Sequence, residues 1–320
     1  MGILRKKLFG VAHVVVLVIG GNGFIGSRLT ERLRGRGVDV RILDAGIPRP
    51  DFDWQGIDYR RGSLAERGAI LESLNGVNVV VHCASSTVPS TSNLDPVGDV
   101  QQNLVGAINV LEAMRQVGVG RIVYLSSGGT VYGDPIEEPI PESHELNPIS
   151  SYGVVKVAIE KYLSMYRSLY GIQSVILRPS NPYGPGQLST GVQGLIASFL
   201  GKILAGETLP IWGDGEIVRD YLYIDDLIDM LCLAVLRCET GIFNVGSGQG
   251  QSVNDIVAAI ASATGFMPEI VRMEARSFDV KRVVLDVSRA RDVFGWTPRT
   301  TLSDGIQLAW KWLKQSRAPE

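Results

Sequence analysis

Short apolar runs alternate with amphipathic segments along most of the chain. The runs are rich in valine, isoleucine and leucine, which is typical of strands buried on both faces of a sheet. The predicted strands cover residues 13–19, 38–43, 57–60, 77–82, 121–125, 173–177 and 242–245. Helical patterns between them cover residues 66–75, 99–117 and 150–170. Because helical segments join successive buried strands, the pattern predicts an α/β fold with a doubly wound parallel sheet, in which ligands bind at the carboxyl ends of the strands.

The amino-acid composition changes after Arg178, where proline and glycine become frequent. Helical patterns follow at 192–206, 252–264 and 302–316, with a glycine turn at 213–215. This pattern predicts a smaller C-terminal substrate-binding cap. The predicted boundaries are 11–180 for the domain built on the parallel sheet, with 217–247 returning to it, and 181–216 plus 248–320 for the cap.

The first predicted strand runs directly into the turn Gly20-Gly21-Asn22-Gly23-Phe24-Ile25-Gly26, and a helical pattern follows it. Glycines in such a turn let the backbone approach a pyrophosphate, and the helix N-terminus supplies free N–H groups. The second predicted strand ends at Asp44, an acid suited to the two ribose hydroxyls of NAD. The sequence therefore predicts a Rossmann domain that binds NAD; the alternative is an ordinary strand-to-helix turn with a surface aspartate.

Composition narrows the function classes. The chain has 320 residues, is 45% hydrophobic and carries a net charge of -2, so it has no electrostatic footprint for nucleic acid. The three cysteines have no metal-ligand spacing, which predicts no metal site and a reducing compartment. The basic N-terminus resembles a signal peptide, but its apolar run is needed as the first strand, and no run is long enough to span a membrane. We therefore expect a cytoplasmic protein, with the first ten residues as an extension.

Tyr152 and Lys156 are four residues apart in the predicted helix 150–170, so they share one face. An ammonium beside a phenol favours the phenolate and is expected to lower the tyrosine pKa, as is the positive charge of a nicotinamide. A tyrosine tuned in this way acts as a general base. A pair at this spacing is common on solvated helices, and here the preceding dinucleotide motif makes the catalytic interpretation the stronger one.

From about residue 13 to 315 the chain resembles the extended short-chain dehydrogenase/reductase family, in its NAD-dependent nucleotide-sugar epimerase/dehydratase branch. The resemblance rests on five motifs that follow one another along the chain in the order typical of the family. They are Gly20-x-x-Gly23-x-x-Gly26, Ser126-Ser127-Gly128-Gly129-Thr130-Val131-Tyr132-Gly133, Tyr152-x-x-x-Lys156, Arg178-Pro179-x-Asn181-x-Tyr183-Gly184-Pro185 and Gly213-Asp214-Gly215-x-x-x-Arg219-Asp220-Tyr221.

The resemblance implies that Tyr152 and Lys156 are catalytic. It implies that NAD is bound by Gly20, Gly23, Phe24, Ile25, Gly26, Asp44, Ser63, Leu64, Cys83, Ala84, Asn103, Ser126, Tyr152, Lys156 and Pro179. It implies that a nucleotide sugar, usually a UDP-hexose in this family, is bound by Thr130, Tyr152, Asn181, Arg219, Arg276 and Asp279. For the last two residues the alternative is a surface ion pair. Relatives dimerise through the helices predicted at 99–117 and 150–170, which implies a homodimer. The apolar positions Val105, Ile108, Leu111, Ile159 and Leu163 serve either that interface or the sheet.

Two departures from the family pattern bear on the reaction. Relatives place Ser or Thr where Gly128 stands, and that hydroxyl relays the proton of the substrate's 4-oxygen; Thr130 or Ser127 could replace it, or Tyr152 could work alone. The Thr-Asp-Glu of dehydratases is absent at 128–130, which favours 4-epimerisation over dehydration. Ser63 also replaces an acid that contacts adenine. The alternatives left open are a dehydratase, reductase or decarboxylase of the same fold, and a non-catalytic NAD-binding sensor.

Overall fold

The structure is a computed structural model that describes residues 14–188, 194–275 and 280–316. Its strands are β1 (Val15–Ile19), β2 (Asp39–Asp44), β3 (Asp58–Arg61), β4 (Val79–His82), β5 (Arg121–Leu125), β6 (Gln173–Pro179), β7 (Asn181–Tyr183), β8 (Leu209–Trp212), β9 (Val218–Tyr223), β10 (Gly241–Val245), β11 (Gly250–Ser252), β12 (Ile270–Met273) and β13 (Arg282–Val283).

Its α-helices are α1 (Phe24–Gly35), α2 (Arg67–Leu74), α3 (Pro96–Asp99), α4 (Gly106–Val117), α5 (Ser151–Tyr170), α6 (Leu195–Ala205), α7 (Ile224–Leu236), α8 (Val253–Thr264), α9 (Ser288–Phe294) and α10 (Leu302–Ser316). A 3₁₀ turn covers Ser92–Leu94, and a π-helical stretch at Val100–Val105 joins α3 to α4. The single helix predicted over 99–117 is therefore divided into the π-helical stretch and α4, and α3 directly precedes it. The extension predicted at 1–10 lies outside the described residues.

Seven strands form the main sheet, in the order β10-β6-β5-β4-β1-β2-β3. The pairs from β6 to β3 are parallel, with Val16 opposite Val40 on one side and opposite Val79 on the other. The strand order reverses between β1 and β4, and the crevice at such a reversal is where doubly wound folds bind ligands. The doubly wound prediction is confirmed.

Helices α2, α4 and α5 bury their apolar faces with the sheet in one hydrophobic core. Three of the positions whose role the sequence left open, Leu111, Ile159 and Leu163, belong to this core. Val105 is exposed instead. Most of the apolar positions of α4 and α5 therefore pack against the sheet. The exposed apolar residues, such as Val105, are different positions from those in the core.

The chain divides into two compact units. The first comprises the described residues up to Val131 together with Pro148–Arg178 and Ile228–Phe243. The second comprises Tyr132–Asn147, Pro179–Leu227 and the described residues from Asn244 onward. These limits differ from the predicted domain boundaries chiefly at 132–147, and the assignment of NAD and substrate to separate domains stays a prediction.

A buried ion pair lies in the first unit, between α5 and the sheet. Arg178 of β6 donates through Nε and Nη2 to the two carboxylate oxygens of Glu160 of α5, at 3.0 and 2.5 Å. The Ser126 hydroxyl, directly after β5, donates to the same carboxylate at 2.5 Å. Because all three side chains are buried and bonded to one another, they fix the middle of α5 to the carboxyl ends of β5 and β6.

The second unit is built around β9, which pairs with β7, β11 and β13. The side chain of Asp220, in the middle of β9, is fully buried and accepts from the backbone N–H groups of Ser247 and Gly248 and from the Ser247 hydroxyl. Burial raises the pKa of Asp220, and the Ser247 bonds oppose that rise. This carboxylate explains the acid in the Arg219-Asp220-Tyr221 motif as a structural residue.

Candidate active site

The glycine turn after β1 is shaped by contacts that only glycine permits. Gly20 has a φ of 81°, and a Cβ there would lie 2.6 Å from the backbone nitrogen of Ala84. A Cβ on Gly26 would lie 2.2 Å from the Gly20 carbonyl oxygen. Gly23 is exposed and is the N-cap residue of α1, which therefore has no side-chain cap. The free N–H groups of this first turn, where Phe24 and Ile25 lie half-buried, fit the pyrophosphate of a dinucleotide.

Asp44 lies at the end of β2, beside this turn. Its carboxylate accepts hydrogen bonds from the backbone N–H groups of Asn22 at 3.0 Å and Gly46 at 2.8 Å. The predicted ribose-binding acid therefore also fixes the turn to the loop that follows β2. Each carboxylate oxygen can accept more than one hydrogen bond, so these contacts leave acceptor capacity for ribose hydroxyls.

The predicted adenine-side residues follow β3. The Ser63 hydroxyl accepts from the Ala65 N–H at 3.2 Å, and the Leu64 carbonyl accepts from the Asn109 side chain at 2.9 Å. Both residues are half-buried at the carboxyl edge of the sheet, where the prediction places them.

The segment after β4 packs directly on the glycine turn. The Cys83 N–H donates to the Ile19 carbonyl at 2.9 Å, and Ala84 contacts Gly20. Burial raises the pKa of the Cys83 thiol to about 12 and lowers the pKa of His82 to about 3. Both groups are therefore uncharged near neutral pH, which makes them part of an apolar wall rather than acid–base groups.

Tyr152 and Lys156 lie in the first two turns of α5, with the Lys156 ammonium 5.3 Å from the centre of the Tyr152 ring. Lys156 Nζ donates to the Leu125 carbonyl at the end of β5, at 2.9 Å. Burial lowers the pKa of Lys156 to about 8. The predicted geometry of the pair, one turn apart on one face, agrees with the structure.

The prediction that the pKa of Tyr152 is lowered was wrong for the protein without a bound cofactor. Burial raises the pKa of Tyr152 to about 12, although the Ser85 and Ser127 side chains oppose that rise. Removing a phenolate from water costs more than these neutral partners return, so the resting phenol stays protonated. The sequence analysis weighed the nearby charge but not the burial of the site.

The two hydroxyls proposed to replace the one missing at Gly128 have different surroundings. The Ser127 side chain lies close enough to the Tyr152 phenol to lower its pKa. Thr130 Oγ1 is buried and has no hydrogen-bond partner among the described residues. Gly153 brings the first turn of α5 against Thr130, since a Cβ on Gly153 would lie 2.7 Å from the Thr130 carbonyl oxygen.

The sequence analysis missed two polar residues near Tyr152. The Ser85 side chain lowers the pKa of the phenol, and Asp99, which is buried, accepts from the Ser151 hydroxyl at 2.7 Å. Asn103 was expected near the cofactor and the catalytic helix. It donates to Asp99 at 2.8 Å, so it braces α5 through that carboxylate. The Ser-rich stretch 85–92 was the available signal, but hydroxyl residues in a loop have no distinctive pattern.

Three of the remaining predicted ligand-binding residues, Pro179, Asn181 and Arg219, lie in the second unit. Asn181 donates to the Asp220 carbonyl at 2.9 Å, and Arg219 donates to the Val218 carbonyl at 2.8 Å. Pro179 is buried at the end of β6. Arg276 and Asp279 lie outside the described residues. The side chain of Ser126 binds Glu160, so any contact of that residue with NAD stays a prediction.

Comparisons with known proteins decide the family. The model of the NAD dependent epimerase/dehydratase family matches residues 16–246. The chain belongs to this family. It is 38% identical to the UDP-glucose 4-epimerase of Mycolicibacterium smegmatis, over 91% of this chain and 95% of that protein.

Solved structures support the same family. The UDP-glucose 4-epimerase of Thermotoga maritima, solved with UDP-glucose, superposes with a TM-score of 0.90 at 32% identity, covering 95% of this chain and 99% of that one. The UDP-glucose 4-epimerase of Thermus thermophilus, in complex with NAD, gives a TM-score of 0.88 at 35% identity, covering 94% and 99%. The family predicted from the motifs, and its dependence on NAD, are confirmed. No helix in the described part of the chain is long and apolar enough to cross a membrane.

The contact between Gly153 and Thr130 yields a test of the site's geometry. Gly153→Ala places a methyl group against the Thr130 carbonyl and the Pro148 side chain, which is 2.8 Å away. We expect a loss of about 1–3 kcal/mol in the free energy of unfolding, measured by denaturant titration, although alanine favours helices.

Gly68→Ala is the matched control, since Gly68 lies in α2 with open space at its Cβ position. We expect it to stabilise the protein by about 0.5 kcal/mol. A Gly153→Ala variant as stable as Gly68→Ala would show that the first turn of α5 does not need this close approach.

Proposed function

We propose that this protein catalyses the NAD-dependent 4-epimerisation of a nucleotide sugar, with a UDP-hexose as substrate. The observation that carries the proposal is the Tyr152–Lys156 pair on α5, with the Lys156 ammonium 5.3 Å from the centre of the Tyr152 ring. The pair lies at the carboxyl edge of the main sheet, where the glycine turn after β1 fits a dinucleotide. The similarity to UDP-glucose 4-epimerases over nearly the whole chain supports the same reaction.

Tyr152 is the residue that moves the proton. It accepts the proton of the sugar's 4-hydroxyl and returns it to the 4-oxygen after the 4-keto sugar has turned over. When bound, NAD accepts the hydride from C4 of the sugar and gives it back on the opposite face. Lys156 is held by the Leu125 carbonyl, and its positive charge stabilises the phenolate. Because hydride and keto sugar both stay bound, we expect NAD to remain tightly held.

The burial of Tyr152 restricts the conditions under which it can act as a base. A phenol whose pKa is raised to about 12 is a poor proton acceptor near neutral pH. The positive nicotinamide ring of bound NAD favours the phenolate. We infer that Tyr152 becomes a competent base only in the NAD complex, which prevents futile proton transfer without a hydride acceptor.

The substrate's nucleotide is assigned to the second unit. We propose that Arg219 and Asn181 bind the diphosphate, with Arg276 beside it and Asp279 at the nucleoside ribose. A guanidinium presents a planar, permanently charged fork to phosphate oxygens. The T. maritima enzyme with UDP-glucose supports a uridine nucleotide. The glycines at 128 and 129 supply no acid for removal of a 6-hydroxyl, which favours epimerisation over dehydration.

We further propose a homodimer that acts in the cytoplasm. Val154, Met165 and Leu169 are exposed apolar residues spaced by whole turns on one face of α5, and Val105 is exposed at the start of α4. A second copy would cover this face. No disulfide joins any of the three cysteines, all of which lie in the described part of the chain, and this is compatible with a reducing compartment.

The catalytic assignment is tested by Tyr152→Phe, which removes the proton acceptor and preserves the ring. We expect a loss of turnover of at least about 100-fold, with bound NAD unchanged. The measurement is proton NMR of the protein with a panel of UDP-hexoses and no added reductant, together with the NAD content of each preparation. Tyr170→Phe, a tyrosine exposed on the same helix, is the control and should retain activity. Near-normal epimerisation by Tyr152→Phe would refute the role of Tyr152, and a 4-keto product from the parent protein would indicate a dehydratase.

The dimer is tested by the double variant Val154→Lys/Met165→Lys, which places two charges on the exposed face of α5. We expect the molar mass in light scattering to fall from that of a dimer to that of a monomer, since buried unpaired charges oppose association. Met267→Lys, at an exposed residue of the second unit, is the control and should leave the mass unchanged. A parent protein that is already monomeric would contradict the proposal.

A further inference from the structure

We propose that Tyr124 of β5 is a positioning residue, whose ring face holds the ammonium of Lys156 so that this side chain stays charged beside the Tyr152 phenol. The inference deepens the proposed function and rests on it for one point, the stabilisation of the phenolate by Lys156. The contact itself lies within the first unit, to which all three residues belong.

The Lys156 ammonium lies over two tyrosine rings. Its Nζ is 5.0 Å from the centre of the Tyr124 ring and 5.3 Å from the centre of the Tyr152 ring. Both separations are within the range of about 6 Å at which the negative face of an aromatic ring attracts a cation. Nζ also donates to the Leu125 carbonyl at 2.9 Å, which fixes the ammonium at this place. Two ring faces and one carbonyl oxygen therefore stabilise the charge.

Tyr124 is fixed by the sheet and by its neighbours. It pairs with His82 of β4 on one side and with Ile176 of β6 on the other, and it is only 1% exposed. The His82 and Tyr124 rings make an edge contact, with their centroids 5.6 Å apart. Burial raises the pKa of Tyr124 well above its usual range and lowers the pKa of His82 to about 3, so both are neutral near neutral pH. Tyr124 therefore acts on Lys156 through its ring face and not by ionising.

Lys156 depends on such contacts because burial opposes its charge. Burial lowers the pKa of Lys156 to about 8, close to the pH at which an enzyme commonly works. A cation–π contact is stronger in desolvated surroundings than at a protein surface. If the pKa were one unit lower, the charged fraction of Lys156 at pH 8 would fall from about one half to about one tenth. A neutral amine does not stabilise a phenolate in the same way, so the ring of Tyr124 helps to keep the pair competent.

Other ionisable groups also act on Lys156, from its own helix and from the elements packed against it. They are Tyr152, Glu160, Asp99, His82 and Cys83. The two carboxylates favour the ammonium. Substitutions of Tyr124 leave every one of these groups in place. A change in the titration of Lys156 in such a variant therefore reports on the ring.

The test measures the titration midpoint of Lys156 by ¹³Cε-lysine NMR in the NAD-bound protein, with the signal assigned by its loss in Lys156→Arg. Tyr124→Phe keeps the ring face and removes a hydroxyl that has no hydrogen-bond partner among the described residues, so we expect the parent midpoint. A ring-trifluorinated phenylalanine at position 124 keeps the shape of the ring but withdraws electron density from its face, and Tyr124→Leu has no ring. We expect both to lower the midpoint, by about one pH unit in Tyr124→Leu.

The pH profile of kcat gives a second reading. Turnover is expected to decline as the pH rises through the pKa of Lys156, because the ammonium is then lost. In Tyr124→Leu this decline should move to lower pH by the same amount as the midpoint, and in Tyr124→Phe it should coincide with that of the parent protein.

Tyr166→Leu is the matched control. Tyr166 is a buried tyrosine of the same hydrophobic core, ten residues beyond Lys156 in α5, or about 15 Å along the helix axis. Its replacement also removes a buried ring, and the Lys156 midpoint should stay at the parent value. The unfolding temperature of each variant shows which of them are folded, and the fluorinated ring decides alone if Tyr124→Leu does not fold.

An unchanged midpoint in the protein with the fluorinated ring overturns the inference. So does a fall in Tyr124→Phe as large as that in Tyr124→Leu, since the hydroxyl and not the ring face would then be responsible. An active parent enzyme with no shift in any variant leaves the proposed epimerisation standing and removes Tyr124 from it. Conversely, the expected shifts in a protein inactive on every sugar nucleotide refute the proposed function, while the contact between Tyr124 and Lys156 holds.

Discussion

The hydrogen bond from Ser151 to the buried carboxylate of Asp99 fixes the first turn of α5, and the chemistry of this protein depends on that turn. Tyr152 follows Ser151 directly, and its backbone N–H donates to the Ser92 hydroxyl in the loop after β4, while Lys156, one turn later, donates to the Leu125 carbonyl at the end of β5. Further along α5, the buried Glu160–Arg178 pair ties the helix to β6. A base held at both levels by buried polar contacts needs no reorganisation to meet its substrate, which is the kind of preorganisation that lowers barriers.

Burial, rather than charge, sets the resting state of the site. It raises the pKa of Tyr152 and lowers the pKa of Lys156, so it opposes both charged forms at once. The same low-polarity surroundings strengthen every charge that is added later. A positive nicotinamide ring is such a charge, and we therefore regard cofactor binding as the event that switches the tyrosine from a stable phenol to a base.

Much of the fold and part of the candidate site could be predicted from the sequence. The parallel sheet follows from near-continuous apolar runs such as β1 and β4, and the Tyr152–Lys156 face follows from helical spacing. Other features could not, because they depend on contacts between residues distant in the chain. Ser85 lies in a polar stretch without periodicity, and nothing in the helical pattern that begins at residue 99 shows that the Asp99 carboxylate is buried. Burial of the phenol is likewise a property of the folded site. Short strands such as β7 escaped prediction because Pro182 interrupts the pattern of a strand.

The account's central claim is that the positive charge of the cofactor activates Tyr152. The most direct measurement is the titration of its phenol by ¹³Cζ-tyrosine NMR in three states: the protein alone, with NAD and with NADH, whose nicotinamide ring is uncharged. We predict a midpoint near 12 for the protein alone, reflecting the raised pKa, and a clearly lower midpoint with NAD but not with NADH. Equal midpoints in the NAD and NADH complexes would contradict the account, because the ring charge would then have no part in making the base.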